Sequence, residues 1–132
     1  MRTRFESHPV TTMKTLQELE ALPDDELRVM LAELEGWQRL ATPEPLLWKR
    51  DGITHVVGHA DWRGPDTRLK QTEDIPNFCG DLNACHEVEM RLKNDCDYVA
   101  HLREVVGNEA IDMIFAAARQ RTIALILTLQ KP

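Results

Sequence analysis

The sequence predicts one α/β domain, an α-β-α sandwich with the element order α-β-β-α-β-β-α and a mixed or antiparallel four-stranded sheet. Three observations lead to this prediction. The chain has 132 residues, the size of one domain. Apolar residues recur every three to four positions in three segments, as in amphipathic helices. Two pairs of apolar runs meet at the turn dipeptides Asp51-Gly52 and Gly107-Asn108, as in hairpins.

The first helical region follows a polar, aperiodic stretch. Residues 1–12 predict a flexible tail, and residues 13–132 a single domain. Thr15 and Glu18 fit a capping box, and Pro23 indicates a restart of the helix. We expect an apolar inner face and a solvated outer face, ended at a glycine. The inner face holds Leu27, Met30, Leu31 and Leu34, the outer face Arg28, Glu33 and Glu35, and the final glycine is Gly36.

A β-hairpin is predicted next. Thr42–Pro45 holds two prolines and is expected to break the chain. Leu46–Arg50 and Ile53–His59 are rich in strand-forming residues and flank Asp51-Gly52, which is a strong turn signal. Asp61–Asp74 is polar and predicts a loop.

The second half of the chain predicts a helix, two strands and a helix. Asp81, or Gly80, is a natural N-cap for a middle helix that Asn94 ends. Its apolar stripe holds Leu82, Cys85, Val88 (or Glu89) and Leu92. Aromatic and β-branched residues favour a strand over Asp97–Val106, with a partner strand over Ala110–Phe115. Gln120–Gln130 is strongly apolar and predicts a buried last helix.

Composition excludes several classes of protein. Lys and Arg number 16 against 22 Asp and Glu, a net charge of −6, which disfavours direct nucleic-acid binding. No apolar run approaches the roughly 20 residues of a membrane span, and no signal peptide is visible. Three cysteines, an odd number, indicate free thiols in a reducing compartment. We therefore expect a cytoplasmic protein without membrane contact.

Three segments resemble the phage ABA-sandwich domain family, small phage and prophage proteins. They are Glu35-Gly36-Trp37, the turn from Ile75 to Leu82, and Arg119–Leu129. The likeness extends over about residues 13–131, but His86 and the loop at 61–74 depart from the family pattern. The resemblance implies a phage or prophage accessory protein with a mixed sheet between helices, and it implies no reaction.

Two clusters contain metal-ligand residue types. The first is Cys79, Cys85, His86, Cys96 and His101. Its ligand types suit zinc, but its spacing is wider than in structural zinc sites, so we expect ordinary thiols. The second is His55, His59 and Asp61. These residues share one face of a regular strand, and a bend at Gly58 would be needed to close a metal or general-base site, because residues four apart on a strand are about 13 Å apart. We expect partly exposed histidines.

A ligand site is predicted at the start of the middle helix. Backbone N–H groups at a helix N-terminus attract anions. Asn77 and Asn83 add hydrogen-bonding side chains, and Phe78 adds a stacking face. Asp81 opposes this, because as N-cap it satisfies the same N–H groups. Arginines at the start of the last helix, Arg119 and Arg121, offer forked donors to an anion.

The sequence favours a binding protein over an enzyme. It contains no G-x-S-x-G, phosphate-binding loop, G-x-G-x-x-G or H-E-x-x-H motif, and we expect no cofactor. The leading hypothesis is a non-enzymatic phage protein that binds a host protein, with an action against host defence included. The alternatives are sequestration of a nucleotide-like or phosphorylated ligand, and a small metal-dependent hydrolase. A homo-oligomer fits the three tryptophans, Trp37, Trp48 and Trp62, because tryptophan is frequent at interfaces.

Overall fold

Five helices and a three-stranded antiparallel sheet form the part of the chain that the computed structural model describes, residues 13–92, 96–107 and 116–130. The mixed α/β class is confirmed. The helices are α1 (Leu16–Glu20), α2 (Asp24–Leu34), α3 (Leu82–Arg91), α4 (Cys96–Val106) and α5 (Ala118–Leu129). The strands are β1 (Gln38–Arg50), β2 (Ile53–Arg63) and β3 (Leu69–Lys70), and a 3-10 turn spans Thr72–Asp74. The predicted tail at 1–12 and the predicted strand at 110–115 lie outside the described residues.

Local signals set the ends of the first two helices as predicted. The Thr15 hydroxyl accepts from the backbone N–H of Glu18 at 3.2 Å, and the Glu18 carboxylate accepts from the N–H of Thr15 at 2.9 Å. Helix α2 begins directly after Pro23. Gly36 follows the helix with φ of +102°, a left-handed conformation that glycine adopts without steric cost.

The predicted strand over Asp97–Val106 is wrong, because this segment lies within α4. Tyr98 and Leu102 are buried four residues apart, and Val105 and Val106 are half-buried one turn later. This spacing puts all four side chains on one helical face, which packs against α5. β-Branched residues favour strands only weakly, and tertiary packing overrides them here. The four-stranded sheet and the predicted element order are therefore not observed among the described residues.

The predicted hairpin is confirmed and is longer than expected. Its turn has positive φ at Asp51 (52°) and Gly52 (78°), as a two-residue hairpin loop requires. Thr42–Pro45 does not break the chain but lies inside β1. Arg39 pairs with Trp62 and Glu44 with Ala60, so four residues of β1 lie opposite one of β2. This irregularity accommodates the proline-rich stretch without regular ladder bonds. The predicted loop at 61–74 is partly strand, since it supplies the end of β2 and all of β3.

The core lies among the helices. Helix α5 contacts each of the other four helices, and its residues 122–126 are buried. This confirms the predicted buried last helix. We call α1–α5 and the segment 72–81 the helical body. Ala60 and Trp62 at the inner end of β2 are the only fully buried side chains of the described hairpin, so its outer half extends away from the core.

Candidate functional site: the hairpin arm and the cleft at its base

The outer half of the hairpin, residues 46–57, exposes an unusual amount of apolar surface. We call this segment the hairpin arm. Five large hydrophobic side chains of the arm are each 52–62% exposed. They are Leu47, Trp48, Ile53, Val56 and Val57. Isolated exposed hydrophobics are normal, but a contiguous group of this size marks an interaction site or an aggregation hazard.

A β-bulge in β2 decides which side chains share a face of the arm. Leu46 pairs with Gly58, while Leu47 pairs with Val56. Val57 is therefore an extra residue in β2, which reverses the alternation of side chains beyond it.

The two faces of the arm differ in chemistry. Leu47 and Val56 are directly opposite each other and form an aliphatic pair on one face. Trp48 and His55 are opposite each other on the other face, with ring centroids 6.3 Å apart. The guanidinium of Arg50 lies 5.7 Å from the centre of the Trp48 ring, within cation–π range. The arm thus presents an aliphatic face and an aromatic, cationic face.

The same bulge separates the histidines of the predicted metal or general-base cluster. His55 is opposite Trp48 and His59 is opposite Pro45. Pro45 and Trp48 are an odd number of residues apart on β1, so the two histidines lie on opposite faces of the hairpin. The bulge lies next to Gly58, where the hypothesis needed a bend, but it moves the two imidazoles to opposite faces. Among the described residues, no three His, Cys, Asp or Glu side chains are placed to hold a metal ion.

The cysteines are free thiols, as predicted, and two belong to the core. The Cys85 thiol donates to the backbone carbonyl of Phe78 at 3.1 Å and lies 3.6 Å from the Thr122 hydroxyl. Burial raises the pKa of the Cys79 thiol to about 11 and also raises that of Cys85. Both are protonated at neutral pH and suit packing better than metal binding. Cys96 is exposed.

The predicted ligand residues at the start of α3 serve the helix itself. The Asp81 carboxylate accepts from the N–H of Asn83 at 2.9 Å, which confirms it as the N-cap. Asn77 and Asn83 are exposed, whereas Phe78 is only 3% exposed. Asn77 lies against Gly80, where a Cβ would come within 2.6 Å of the Asn77 amide nitrogen. A side chain at position 80 would therefore have to displace the exposed Asn77 amide.

The two predicted anion-binding arginines bind different parts of the protein. Arg119 pairs with the Asp24 carboxylate and donates to the carbonyls of Glu20 and Leu22, at 2.9 and 2.8 Å. It thereby holds the α1–α2 connection onto α5. Arg121, two residues further along α5, extends in another direction towards α3. The structure does not bring the two guanidinium groups together on one ligand.

A half-buried carboxylate joins three helices and was not predicted from the sequence. Glu89 of α3 accepts from Arg121 of α5 at 2.8 Å, from the Tyr98 hydroxyl of α4, and contacts His86 at 2.6 Å. Its side chain is 14% exposed and that of Arg121 is 13% exposed. Burial alone would raise the pKa of Glu89, but hydrogen bonds from Tyr98, Arg121 and His86 outweigh it, so this pKa is lowered. The only sequence signal was the position of Glu89 on the apolar stripe, four residues after Cys85.

Arg28 is also structural rather than solvated. Its Nε donates to the carbonyls of Ile75 and Pro76 at 3.0 and 3.2 Å. It therefore holds the segment before α3 against α2. Glu35 pairs with Arg91. Glu35 lies at the other end of the face that was predicted to be solvated. Only Glu33 of that face remains an exposed side chain without a partner among the described contacts.

A cleft of about 550 Å³ lies where the arm joins the helical body. Its apolar wall includes Trp37 and Phe78. Its charged lining holds three carboxylates and two cations, namely Glu35, Asp66, Glu87, Lys70 and Arg91. Lys70 lies 3.7 Å from Asp66, and Glu87 makes no ion pair within the described part of the chain. The cleft therefore offers an aromatic wall beside a net negative rim.

Comparison with known proteins identifies no relative: no family model, no curated protein and no solved structure matches the chain. The resemblance to the phage ABA-sandwich family thus stays a prediction from the three motifs. Within residues 13–92, 96–107 and 116–130, none of the helices has both the length and the apolar character needed to cross a bilayer.

Proposed function

We propose that this protein is a non-enzymatic binding protein, encoded by a phage or prophage, that acts in the host cytoplasm on a host protein, including proteins of host defence. The observation that supports binding is the hairpin arm, with five large hydrophobic side chains 52–62% exposed on its two faces. The motifs around Gly36, at residues 75–82 and at residues 119–129 support the phage origin.

The physics of the arm favours a partner. Full burial of one large aliphatic side chain is worth about 1.5–3 kcal/mol, and the arm leaves more than half of each such side chain in water. A two-stranded hairpin is also only marginally stable by itself. Trp48 with Arg50 beside it has the composition of an interface hot spot. A partner that covers the arm gains this burial and orders the hairpin as well.

The ionisable groups with shifted pKa values do not indicate catalysis. Glu89 accepts from Tyr98 and from Arg121 where three helices meet. Burial and the bond to Glu89 both raise the pKa of Tyr98, so this hydroxyl stays protonated. These groups stabilise the body, which supports a binding function over an enzymatic one.

Binding of a small ligand is the second candidate, and the cleft is the observation that favours it. Its volume of about 550 Å³ is typical of ligand pockets. Trp37 offers aromatic surface to a base, and Lys70 and Arg91 offer charge to a phosphate. Thermal shift measurements against a panel of nucleotides test this function. A flat response across the panel rejects it.

Affinity capture from a bacterial host lysate tests the leading function. The wild-type chain is compared with Leu47→Ser/Val56→Ser, which removes the aliphatic face of the arm. Met90→Ser is the matched control, because Met90 is 69% exposed but lies on α3 in the body. We expect a host protein captured by the wild type and by the control, and lost from the arm variant. Identical profiles for all three proteins contradict the proposal.

A further inference from the structure

We infer that a second copy of this chain occupies the hairpin arm: two arms lie antiparallel across a two-fold axis, and each tip enters the cleft at the base of the other arm. This inference rests on the part of the proposed function that makes the arm a binding surface. It places a second copy on the surface that the proposed function gives to a host protein, so the two partners compete for the arm, and it joins the arm to the cleft, two features that are separate within one chain.

The placement of the cleft makes this arrangement geometrically consistent. Trp37 directly precedes β1, and Pro65 follows the end of β2 by one residue, and both line the cleft. The cleft is therefore at the base of the whole hairpin, whereas Asp51-Gly52 is at its tip. Strand β2 has 11 residues, which span about 35 Å at 3.3 Å per residue. When two hairpins of equal length align antiparallel, each tip reaches the base of the other, and the two-fold axis closes the assembly.

Charge favours this contact. Residues 46–57 contain two cations, Lys49 and Arg50, and one carboxylate, Asp51, so the arm has a net charge of +1 in a chain of −6. Arg50 lies 3.9 Å from Asp51, which leaves Lys49 without an ion pair among the described residues. The cleft has the opposite balance, and exposed Glu87 on its rim is unpaired there. A tip in the cleft therefore places cations beside carboxylates and Trp48 near an aromatic wall.

The exposed apolar surface of two arms suffices for a weak, reversible dimer. At about 25 cal/mol per Å², the apolar area that a large aliphatic side chain buries is roughly 60–120 Å², and a tryptophan has about 150–250 Å². The five exposed side chains then present roughly 300 Å² of apolar surface on the two faces of one arm. Two arms in contact along one face bury about half of this surface each, which is below the roughly 1,000 Å² of a stable interface and in the range of a transient one.

Sedimentation velocity of the full chain between about 1 and 200 µM tests the inference. We expect the wild type to form a dimer whose dissociation constant rises with salt, because screened charges contribute less. Reversal of the tip charges in Lys49→Glu/Arg50→Glu, or of the rim charge in Glu87→Arg, is expected to weaken the dimer about tenfold. The three changes combined are expected to restore it, since each reversed tip then meets a reversed cleft. All positions are exposed, and circular dichroism checks that each variant folds.

The outcomes separate this inference from the proposed function. A wild type that stays monomeric at 200 µM overturns the dimer, and capture of a host protein through Leu47 and Val56 then stands without it. A dimer that ignores both charge reversals, or that the combined variant fails to restore, shows that the tip does not dock in the cleft. A dimer that behaves as expected, with a capture profile unchanged by the arm variant, supports the inference and rejects a host partner on the arm.

Discussion

The helical body and the hairpin arm contain the same apolar residue types, but the body buries these side chains and the arm exposes them. Leu27 and Leu31 in the body are fully buried, whereas Leu47 on the arm is 62% exposed. The contrast occurs even within one hairpin, since Trp62 is fully buried at its base and Trp48 is 52% exposed near its tip. Hydrophobicity alone therefore does not mark the core. What differs is whether helices lie close enough to cover the side chain.

Polar contacts show the same difference. The Glu89–Arg121 pair in the body is 14% and 13% exposed and is reinforced by Tyr98. The Arg63–Glu44 pair at the base of the hairpin spans 3.5 Å, with side chains 37% and 46% exposed. Water screens the second pair more strongly than the first. Matched substitutions in the two regions are accordingly expected to have unequal effects.

The largest contrast is expected from leucine to alanine. Leu31→Ala leaves a cavity in the core and is expected to lower the free energy of unfolding by about 3–4 kcal/mol. Leu47→Ala removes an exposed side chain and is expected to change it by less than about 0.5 kcal/mol. Urea unfolding at low protein concentration, where self-association is negligible, measures both. Equal losses for the two variants would show that the arm is packed like the core.

The buried ion pair gives the next contrast. Glu89→Gln removes the negative charge that accepts from Arg121 and Tyr98 and is expected to cost about 3 kcal/mol, at the low end for changing a buried pair because some exposure remains. Glu44→Gln is expected to cost less than about 1 kcal/mol. Chemical denaturation compares the two.

Acid is expected to abolish the contribution of Glu89 to the free energy of unfolding. Its pKa is lower in the folded state, so the contribution is present above the unfolded-state pKa of about 4.3 and is lost as the pH falls through the folded-state value. The stability difference between the wild type and Glu89→Gln should therefore be constant near neutrality and shrink below about pH 4. A difference that grows in acid contradicts this assignment.

Two tryptophans of one hairpin differ in burial and are expected to differ in their effect on stability. Trp62 is fully buried and its indole N–H donates to the Thr72 hydroxyl at 3.0 Å. Trp62→Phe is expected to cost about 2 kcal/mol through lost packing and this bond. Trp48→Phe is expected to leave the stability of the monomer within about 0.5 kcal/mol. Thermal unfolding followed by circular dichroism distinguishes them, and the reverse order would place the wrong end of the hairpin in the core.

The smallest effect on stability is expected from substitutions of two glycines that have positive φ angles. Gly36→Ala strains the end of α2, where φ is +102°, and is expected to cost about 1 kcal/mol in global unfolding. Gly52→Ala carries similar strain at the tip, where a Cβ meets nothing within 4 Å. Because the tip is remote from the core, its effect is expected mainly as faster amide exchange in the arm. A global loss from Gly52→Ala equal to that from Gly36→Ala would show that the arm unfolds together with the body.

Elements specified by local chemistry were predictable. The Thr15–Glu18 capping box, the Asp51-Gly52 turn and the Asp81 N-cap each depend on residues within three positions of one another. The buried last helix was predictable from its apolar composition. Of the candidate site, the sequence supplied the hairpin and Phe78, but it assigned Phe78 to an anion site with Arg119.

Features that depend on distant residues were not predictable. The segment Asp97–Val106 is a helix because α5 covers its apolar face, and Thr42–Pro45 stays in a strand because β2 provides an irregular partner. Arg28 and Glu89 find their partners 47 and 32 residues away. No local pattern specifies such contacts, since they form only when separate helices pack together.

Local side-chain chemistry specifies the helix caps and the hairpin turn within a few residues, and composition alone specifies the acidic charge and the odd number of thiols. Only the tertiary structure decided that Trp62 is core and Trp48 is surface, and that the bulge at Val57 moves His55 away from His59. It also brought Trp37 and Phe78 to one cleft at the base of the arm. Which side chains are buried, and which of them meet in one cleft, depends on the positions of segments that are distant in sequence. The packing of the helices on α5 sets these positions.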